Sequence, residues 1–441
     1  MAQQMGRRKS TLQLWWEWAL ERLDRTTFLA FRLTIPKSYV SPLGFLGMLT
    51  FITFLILGVT GALLLLYYYP GIDTAYDSVQ TIETTVATGY LIRNIHYHAS
   101  NMMIFLALAH MYYQYFSGRF KVRNEMLWFT GVILGLLTVL EAFTGYDLIF
   151  NERAVLAVSI AFGLAQSIPF IGPLLKTLAF GFGFVDVAIR LYAYHVFIIP
   201  VIMLILMGLH FPRNLVFDIP MTAGVIGIIL IVAGLFPVEL GVKLVPGQPA
   251  GFTVPEWYLS ALFAFLRTGM DKFVAGVLLP NIWIAMFFII PFIDTGKRLS
   301  WRDRPFFTSL GVASILMTGA TTVWGFYLKP GTDIPLEKLF IPPTLFWGIV
   351  LLIAVVSFLT VYGLLSYSKR RPPSRPVRPT PITISKRWMY MNLVMIVAFQ
   401  AFLNVLVYQA ITQDLRNLVM FELGVLLTSF AVGFHFYRLM R

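Results

Sequence analysis

The chain contains no cysteine. That excludes a disulfide, a cysteine-ligated iron–sulfur cluster and a thioether-attached haem, so any iron–sulfur centre on its pathway belongs to another polypeptide. Charge is scarce as well. Only 12% of the 441 residues are Asp, Glu, Lys or Arg, about half the share of a soluble domain. The N-terminus has Arg7, Arg8 and Lys9 but no apolar core before residue 44 that resembles a cleavable signal.

What fills the chain instead is apolar: 58% of residues, with a mean hydropathy of +0.75. Runs of 18 or more apolar residues recur, each long enough to cross ~30 Å of hydrocarbon. The reading is an all-α membrane protein of about ten transmembrane helices. They fall near 44–67, 92–116, 126–146, 187–211, 221–240, 274–294, 305–328, 342–366, 389–410 and 418–437. With the N-terminus inside, 24 of the 34 Lys and Arg lie on the inner side and more than half of the 21 Asp and Glu lie outside. This positive-inside bias sets the orientation in an inner or plasma membrane. Anionic lipid is a sufficient partner for the net charge of +13, and nucleic acid is not needed.

The expected organisation has five parts. Residues 1–43 form an inner-face interfacial helix, because Leu12, Trp15, Ala19, Leu20 and Leu23 recur at helical spacing beside Glu17, Glu21, Arg22 and Arg25. Residues 44–220 form a four-helix bundle and 221–368 a second helical region. The stretch 369–387, with seven Lys or Arg and five Pro, is an extended linker. Residues 388–441 add two further transmembrane helices. Two outer segments, 147–186 and 241–273, are too long for simple turns and are expected to fold back as short helices.

Four of the six histidines form two pairs, His96 with His110 on the second span and His195 with His210 on the fourth. The separations are 14 and 15 residues. At ~100° and ~1.5 Å per residue, each pair lies on roughly one helix face, ~21 Å apart. The two spans run in the same direction, so His96 shares the depth of His195, and His110 that of His210. A lone intramembrane histidine is more often a hydrogen-bonded or proton-relay residue than a ligand. Four at matched depth offer two bis-histidine sites of the kind a low-spin haem takes, whereas zinc wants tetrahedral clustering. Gly47 and Gly61 on the first span, and Gly131 and Gly145 on the third, repeat the 14-residue interval. Small residues also serve helix packing, but a helix-interior glycine costs about 1 kcal/mol, and a macrocycle edge at two depths explains two such pairs. Arg93 and Arg190 stand where the ligand-bearing spans enter the membrane; they are helix anchors or propionate partners.

Leu91-Ile-Arg-Asn-Ile-His96 followed by His110 resembles the haem-binding second helix of cytochrome b from bc-type complexes, and Arg190-Leu-Tyr-Ala-Tyr-His195 resembles its fourth helix. Ile168-Pro-Phe-Ile-Gly172 is similar to a family motif between the third and fourth spans. Pro255-Glu256-Trp257-Tyr258, with Leu266-Arg267-Thr268 and Lys272, resembles the family's quinol-site signature. The likeness covers about residues 10–330 and identifies the final two spans as an addition.

The resemblance implies the cytochrome b subunit of a respiratory quinol-oxidising complex, an oxidoreductase active only with its partner subunits. Quinol would be oxidised at the outer face, with Glu256 accepting a proton and Tyr258 and Tyr146 lining the pocket. The cofactors would be two haems, of b type or a modified a type. The partners would be a Rieske-type iron–sulfur protein, then a downstream cytochrome, copper protein or terminal oxidase, with the chain dimeric. The bland reading of Pro-Glu-Trp-Tyr is an interfacial helix start. Two departures stand out. Where the family has Leu-Pro-Trp after Gly-Tyr, this chain reads Asp147-Leu148-Ile149-Phe150, and where the family often has an Arg shortly after the second ligand, Met111-Tyr112-Tyr113 follows His110, which leaves Arg119 or Lys121 for the inner haem. The inner quinone site of relatives has no clear counterpart here; Arg213 and Asp218 are the polar residues nearby. His98 is expected to have a polar role at the outer mouth, and His435 a structural one. Glu141 lines the quinol cavity or a proton path. The alternatives are a dihaem anchor linking a dehydrogenase to quinone, and a haem-free proton-coupled transporter.

Overall fold

The computed structural model describes residues 10–24, 26, 32–36, 42–121, 123–245, 253–326, 340–370 and 385–440. Most of the expected 369–387 linker lies outside these residues.

Helix α1 (Thr11–Leu23) starts at a reciprocal cap. The Ser10 hydroxyl accepts from the Gln13 amide at 3.2 Å, and the Gln13 side chain returns the bond to the Ser10 N–H. Its Leu12, Trp15 and Trp16 are exposed, while Arg22 reaches Glu125 at 3.0 Å and so ties the helix to the bundle. Four helices follow the order expected for the bundle: α2 (Leu46–Leu65), α4 (Gly89–Ser117), α5 (Glu125–Asp147), and a continuous run made of α8 (Phe184–Ala193), a π-helical turn (Tyr194–Ile198) and α9 (Ile199–His210). Between α2 and α4 lies the short helix α3 (Ala75–Thr84), which the sequence reading does not anticipate. Between α5 and α8 lie α6 (Glu152–Gln166) and α7 (Gly172–Phe180), the expected short helices.

The second region holds α10 (Ile219–Leu235), α11 (Trp257–Leu266), α12 (Leu279–Ile293), α13 (Pro305–Phe326) and α14 (Pro343–Arg370). Then come α15 (Lys386–Thr412) and α16 (Arg416–Met440). Among the described residues eight helical segments are long and apolar enough to cross a membrane. Adding α4 and α10 gives the ten spans read from the sequence. Helix α4 is 29 residues long, about 43 Å at 1.5 Å per residue, but Arg93, Asn94, His96, His98 and Asn101 lower its hydropathy. The protein is an all-α, multi-pass membrane protein. Among the described residues the only strands are Arg32–Thr34 and Asn214–Val216, paired in parallel.

Each helix sorts its side chains by neighbour. On α2, Leu55, Val59 and Leu63 recur every four residues and are exposed, as a lipid-facing stripe must be, while Leu49, Ile52 and Thr53 are buried. Met103, Leu134, Ile199, Met203 and Met207 fill the centre of the bundle, packed against Phe51, Phe54 and Leu57. This apolar plug lies midway between the two histidine levels.

The last two helices do not hang loose from their linker. Helix α16 lies against α10 on a glycine-lined seam. A Cβ on Gly424 would meet the Gly227 carbonyl at 2.6 Å, and one on Gly234 would meet the Asn417 carbonyl at 2.6 Å. At one end of the seam Tyr90 donates to Asn417 at 2.6 Å. At the other end Arg438 forms a buried ion pair with Asp218 and donates to the Pro36 carbonyl at 2.8 Å.

Candidate functional site

Helices α2 and α4 run antiparallel, as do α5 and α9, and this brings the four glycines to the four histidines. The His96 and His195 ring centres stand 6.2 Å apart, and those of His110 and His210 6.1 Å apart. Two imidazole nitrogens each about 2 Å from one metal, with ~1.15 Å from nitrogen to ring centre, require about 6.3 Å. Each pair therefore has room for one metal atom on a line between its rings. The planes within each pair cross at 79° and 86°.

The glycines support the rings directly, where the sequence reading has them admit a macrocycle edge. A Cβ on Gly47 would stand 2.8 Å from His110 Cε1, one on Gly61 3.2 Å from His96 Cε1, and one on Gly131 2.8 Å from His210 Cε1. At Gly145 it would overlap the His195 ring. Each histidine thus leans on the bare backbone of the helix beside it.

The same helices fix the tautomers. His195 Nδ1 lies 3.0 Å from the Glu141 carbonyl and His210 Nδ1 2.8 Å from that of Leu127. A carbonyl only accepts, so Nδ1 carries the proton in both rings and Nε2 keeps its lone pair for a metal. His96 Nδ1 is held by Thr60 Oγ1 at 2.9 Å and by the Leu57 carbonyl. Thr60 spends its own proton on the Ile56 carbonyl at 2.7 Å, so it too accepts from the ring. The accepting carbonyls stand four residues before Gly61, Gly131 and Gly145. Thr60, Thr130 and Thr144 immediately precede those glycines, with hydroxyls 2.9, 3.3 and 3.4 Å from the respective Nδ1 atoms. The sequence reading passed over these three Thr-Gly pairs, although two of them repeat the 14-residue interval.

The 15-residue spacing of His195 and His210 also has a physical cause. His195 lies in the π-helical turn, where the Ile199 N–H bonds back five residues to the Tyr194 carbonyl. That turn absorbs one residue without advancing the helix, so fifteen residues do the work of the fourteen on α4. Pro200, which has no N–H to offer, follows immediately.

A cavity of about 980 Å³ surrounds His110 and His210 and includes Gly47 and Gly131 in its wall. This is at the upper end of the range for cofactor pockets. Arg119 lines it. Lys121 instead forms an ion pair with Asp294 and donates to the carbonyls of Gly296 and Arg298, both at 3.1 Å. The spacing and glycine supports at both levels, the tautomers of His96, His195 and His210, and the room at the His110–His210 level fit haem held between two imidazoles.

Arg93 and Arg190 are engaged elsewhere in this structure. Arg93 forms an ion pair with Glu83 and donates to the carbonyls of Val238 and Glu239 at 3.1 and 3.3 Å. With Asn94, which accepts from the Val238 amide at 2.8 Å, and His98, whose Nε2 lies 2.7 Å from the Phe236 carbonyl, it clamps the segment after α10. Arg190 donates to the carbonyls of Thr177 and Leu178 at 2.7 and 2.6 Å, closing the end of α7.

At the His96 end, the Pro-Glu-Trp-Tyr segment meets the bundle. Glu256 stands at the start of α11 without capping it through its side chain, and is buried. Arg153 Nη1 lies 3.1 Å from its carboxylate, and the Tyr97 hydroxyl donates to both oxygens at 3.0 and 3.1 Å. Arg153 also donates from Nε to the Val254 carbonyl at 2.8 Å and stands 5.2 Å from the centre of the Tyr146 ring. Tyr146 donates to the Arg153 carbonyl at 3.1 Å, and Trp257 Nε1 to Asn101 at 2.6 Å. Glu256, Arg153, Tyr97 and Tyr146 thus share one polar pocket, joined to the ligand helix through Tyr97, with Tyr258 two residues beyond Glu256. Tyr97 and Arg153 were missed because they reach Glu256 across more than 100 residues of chain. Glu141 turns its carboxylate to His195 Nδ1 at 3.1 Å rather than into that pocket.

This is the layout of a membrane protein built to hold haem between paired spans. The profile described as cytochrome b/b6/petB matches residues 33–214, and that described as cytochrome b(C-terminal)/b6/petD matches residues 249–341. The cytochrome b6 of Prochlorothrix hollandica is 36% identical over 194 residues, 43% of this chain and 87% of the relative. That of Mastigocladus laminosus is 36% identical over 202 residues, 44% of this chain and 93% of the relative. A chain of a hyperthermophilic respiratory Complex III has the same fold, with a TM-score of 0.60 and 20% identity over 79% of this chain and 96% of that one. The chain belongs to the cytochrome b family of bc-type complexes, whose members are haem-binding membrane subunits of electron-transport oxidoreductases. Helices α15 and α16 lie beyond both matched regions.

Proposed function

We propose that the chain is the quinol-oxidising subunit of such a complex, with His96 and His195 holding one haem and His110 and His210 a second. Bound there, low-spin haem of b type, or a modified a type, supplies one-electron transfer at two depths of the bilayer. The observation that carries this reading is the pair of histidine couples, each with ring centres about 6 Å apart and each leaning on glycine. With the N-terminus inside an inner or plasma membrane, the His96 level lies near the outer face. Moving one electron inward against the membrane potential then costs about 2.3 kcal/mol per 100 mV, which is how the step conserves energy.

Quinol enters beside Glu256. Tyr146 and Tyr258 line its ring, and Glu256 takes one of the two protons that quinol oxidation releases, the other passing to the outer aqueous phase. Arg153 and Tyr97 hold the carboxylate until then, and the proton leaves through the same polar pocket toward the outer surface. The first electron goes to a Rieske-type iron–sulfur protein and onward to a cytochrome, copper protein or terminal oxidase. The chain works as a dimer in lipid. Arg93 and Arg190 can serve haem propionates by exchanging their present carbonyl contacts, and Arg119 does so at the other level. Replacing Glu256 by Gln keeps size and removes proton acceptance. Haem spectra should survive while quinol-driven reduction slows roughly tenfold or more. A Gln variant with intact turnover would reduce Glu256 to a helix-start residue.

A further inference from the structure

The turn after α5 breaks a local rule. Asp147 is the last residue of α5, at the negative end of the helix dipole, with no basic residue in the last turn. It is fully buried, and neither carboxylate oxygen has a hydrogen-bond partner. Buried polar atoms are nearly always paired, and packing would be served better here by an apolar side chain of similar size.

The turn itself is fixed. Phe150 is buried in the left-handed backbone region at φ +52° and its N–H bonds to the Asp147 carbonyl at 3.2 Å, while the Tyr68 hydroxyl donates to the Leu148 carbonyl at 2.8 Å. Asp147 is therefore held in place, next in the chain to Tyr146, whose ring stands 5.2 Å from the Arg153 guanidinium that holds Glu256. The two carboxyls contrast sharply. Glu256 has both oxygens occupied by Arg153 and Tyr97, and Asp147 has both free.

Resting on the quinol-site reading above, we propose that Asp147 is a quinol-binding residue, its carboxyl accepting a hydrogen bond from a ring hydroxyl of the substrate. The ring then lies against Tyr146 and Tyr258 with one hydroxyl directed to Asp147 and the other toward Glu256. A carboxyl accepts through at least one oxygen in either protonation state, so the role is recognition and requires no proton transfer at Asp147.

The test uses the intact complex with tetramethylhydroquinone as substrate, comparing wild type with Asp147→Leu and Asp147→Asn. Leaving a buried hydroxyl without its acceptor should raise KM about tenfold or more in the Leu variant, with a smaller fall in kcat. Its thermal midpoint, followed by haem absorbance, should be equal or higher. The Asn variant keeps an accepting oxygen and should stay within about threefold of the wild-type KM. A Leu variant with wild-type KM and an equal or higher midpoint would make Asp147 an idle wall residue and overturn the proposal. Should the Leu variant fail to assemble, infrared difference spectra on adding the quinol decide: wild type should give a carboxyl band that Asp147→Asn lacks, and identical spectra overturn the assignment. A wild-type complex with no saturable quinol oxidation would remove the quinol-site reading itself, and this proposal with it.

Discussion

Helix α5 carries its own control experiment, because Gly131 and Gly135 stand one turn apart in different surroundings. A Cβ on Gly131 would lie 2.8 Å from His210 Cε1 and 3.3 Å from Nδ1, whereas one on Gly135 would meet nothing within 4 Å. Ordinary contact begins near 3.4 Å, so Gly131→Ala pushes the ring back by about 0.6 Å. The bond from His210 Nδ1 to the Leu127 carbonyl, now 2.8 Å, would lengthen toward ~3.4 Å and lose most of its strength. Overpacking of this kind costs about 1–3 kcal/mol. Alanine returns about 1 kcal/mol of helix propensity at either position, so the difference between the two variants isolates the clash. It corresponds to roughly 5- to 150-fold in affinity for the group His210 holds. Haem retention and the midpoint potential of the His110–His210 level, measured by spectroelectrochemistry on both variants, check this. Gly131→Ala should weaken or shift that one level, and Gly135→Ala should leave both as in wild type. Identical behaviour of the two variants would refute the idea that the glycines support the ligand rings.

His110→Leu should abolish one haem signal and leave the His96–His195 one largely intact in optical redox titrations; loss of neither would break the proposed pairing. Arg438→Gln leaves Asp218 buried without its cation, a change that costs about 3–5 kcal/mol for pairs of this kind. It should lower the thermal midpoint of the complex without changing haem content, and an unchanged midpoint would show that α16 docks by its glycine seam alone. Deleting residues 386–441 should likewise destabilise the chain by exposing that seam, while both haems stay bound, since every proposed ligand and supporting glycine lies outside α15 and α16. A stably inserted truncation without a haem spectrum would contradict this.

Eight of the ten spans read from the sequence are legible because length and hydropathy decide them, and their structural bounds differ by only a few residues; the histidine-bearing α4 and the short α10 complete the ten less plainly. The depth matching of His96 with His195 and of His110 with His210 was legible too, since it needs only a rise per residue and a direction. What the glycines touch was not. The 14-residue interval announces a two-level repeat, but backbone support of an imidazole and a macrocycle edge leave the same trace in one dimension. The extra residue between His195 and His210 is uninterpretable until the π-helical turn is seen. The partners of Glu256 come from α4 and α6, so no local pattern marks Tyr97 or Arg153. The Pro- and Arg-rich stretch suggested that the last two helices stand apart. Their seam with α10 depends on glycines that look, in sequence, like any others in a transmembrane helix.

The most direct measurement of the central claim is the haem content and ligation of the purified chain, by optical absorption, electron paramagnetic resonance and redox titration. Two histidine couples, each with room for one metal between Nε2 atoms, predict two haems per chain, both low-spin with two nitrogen axial ligands. They should titrate as two separate one-electron steps. One haem per chain, a high-spin signal from either site, or no haem at all would contradict the account.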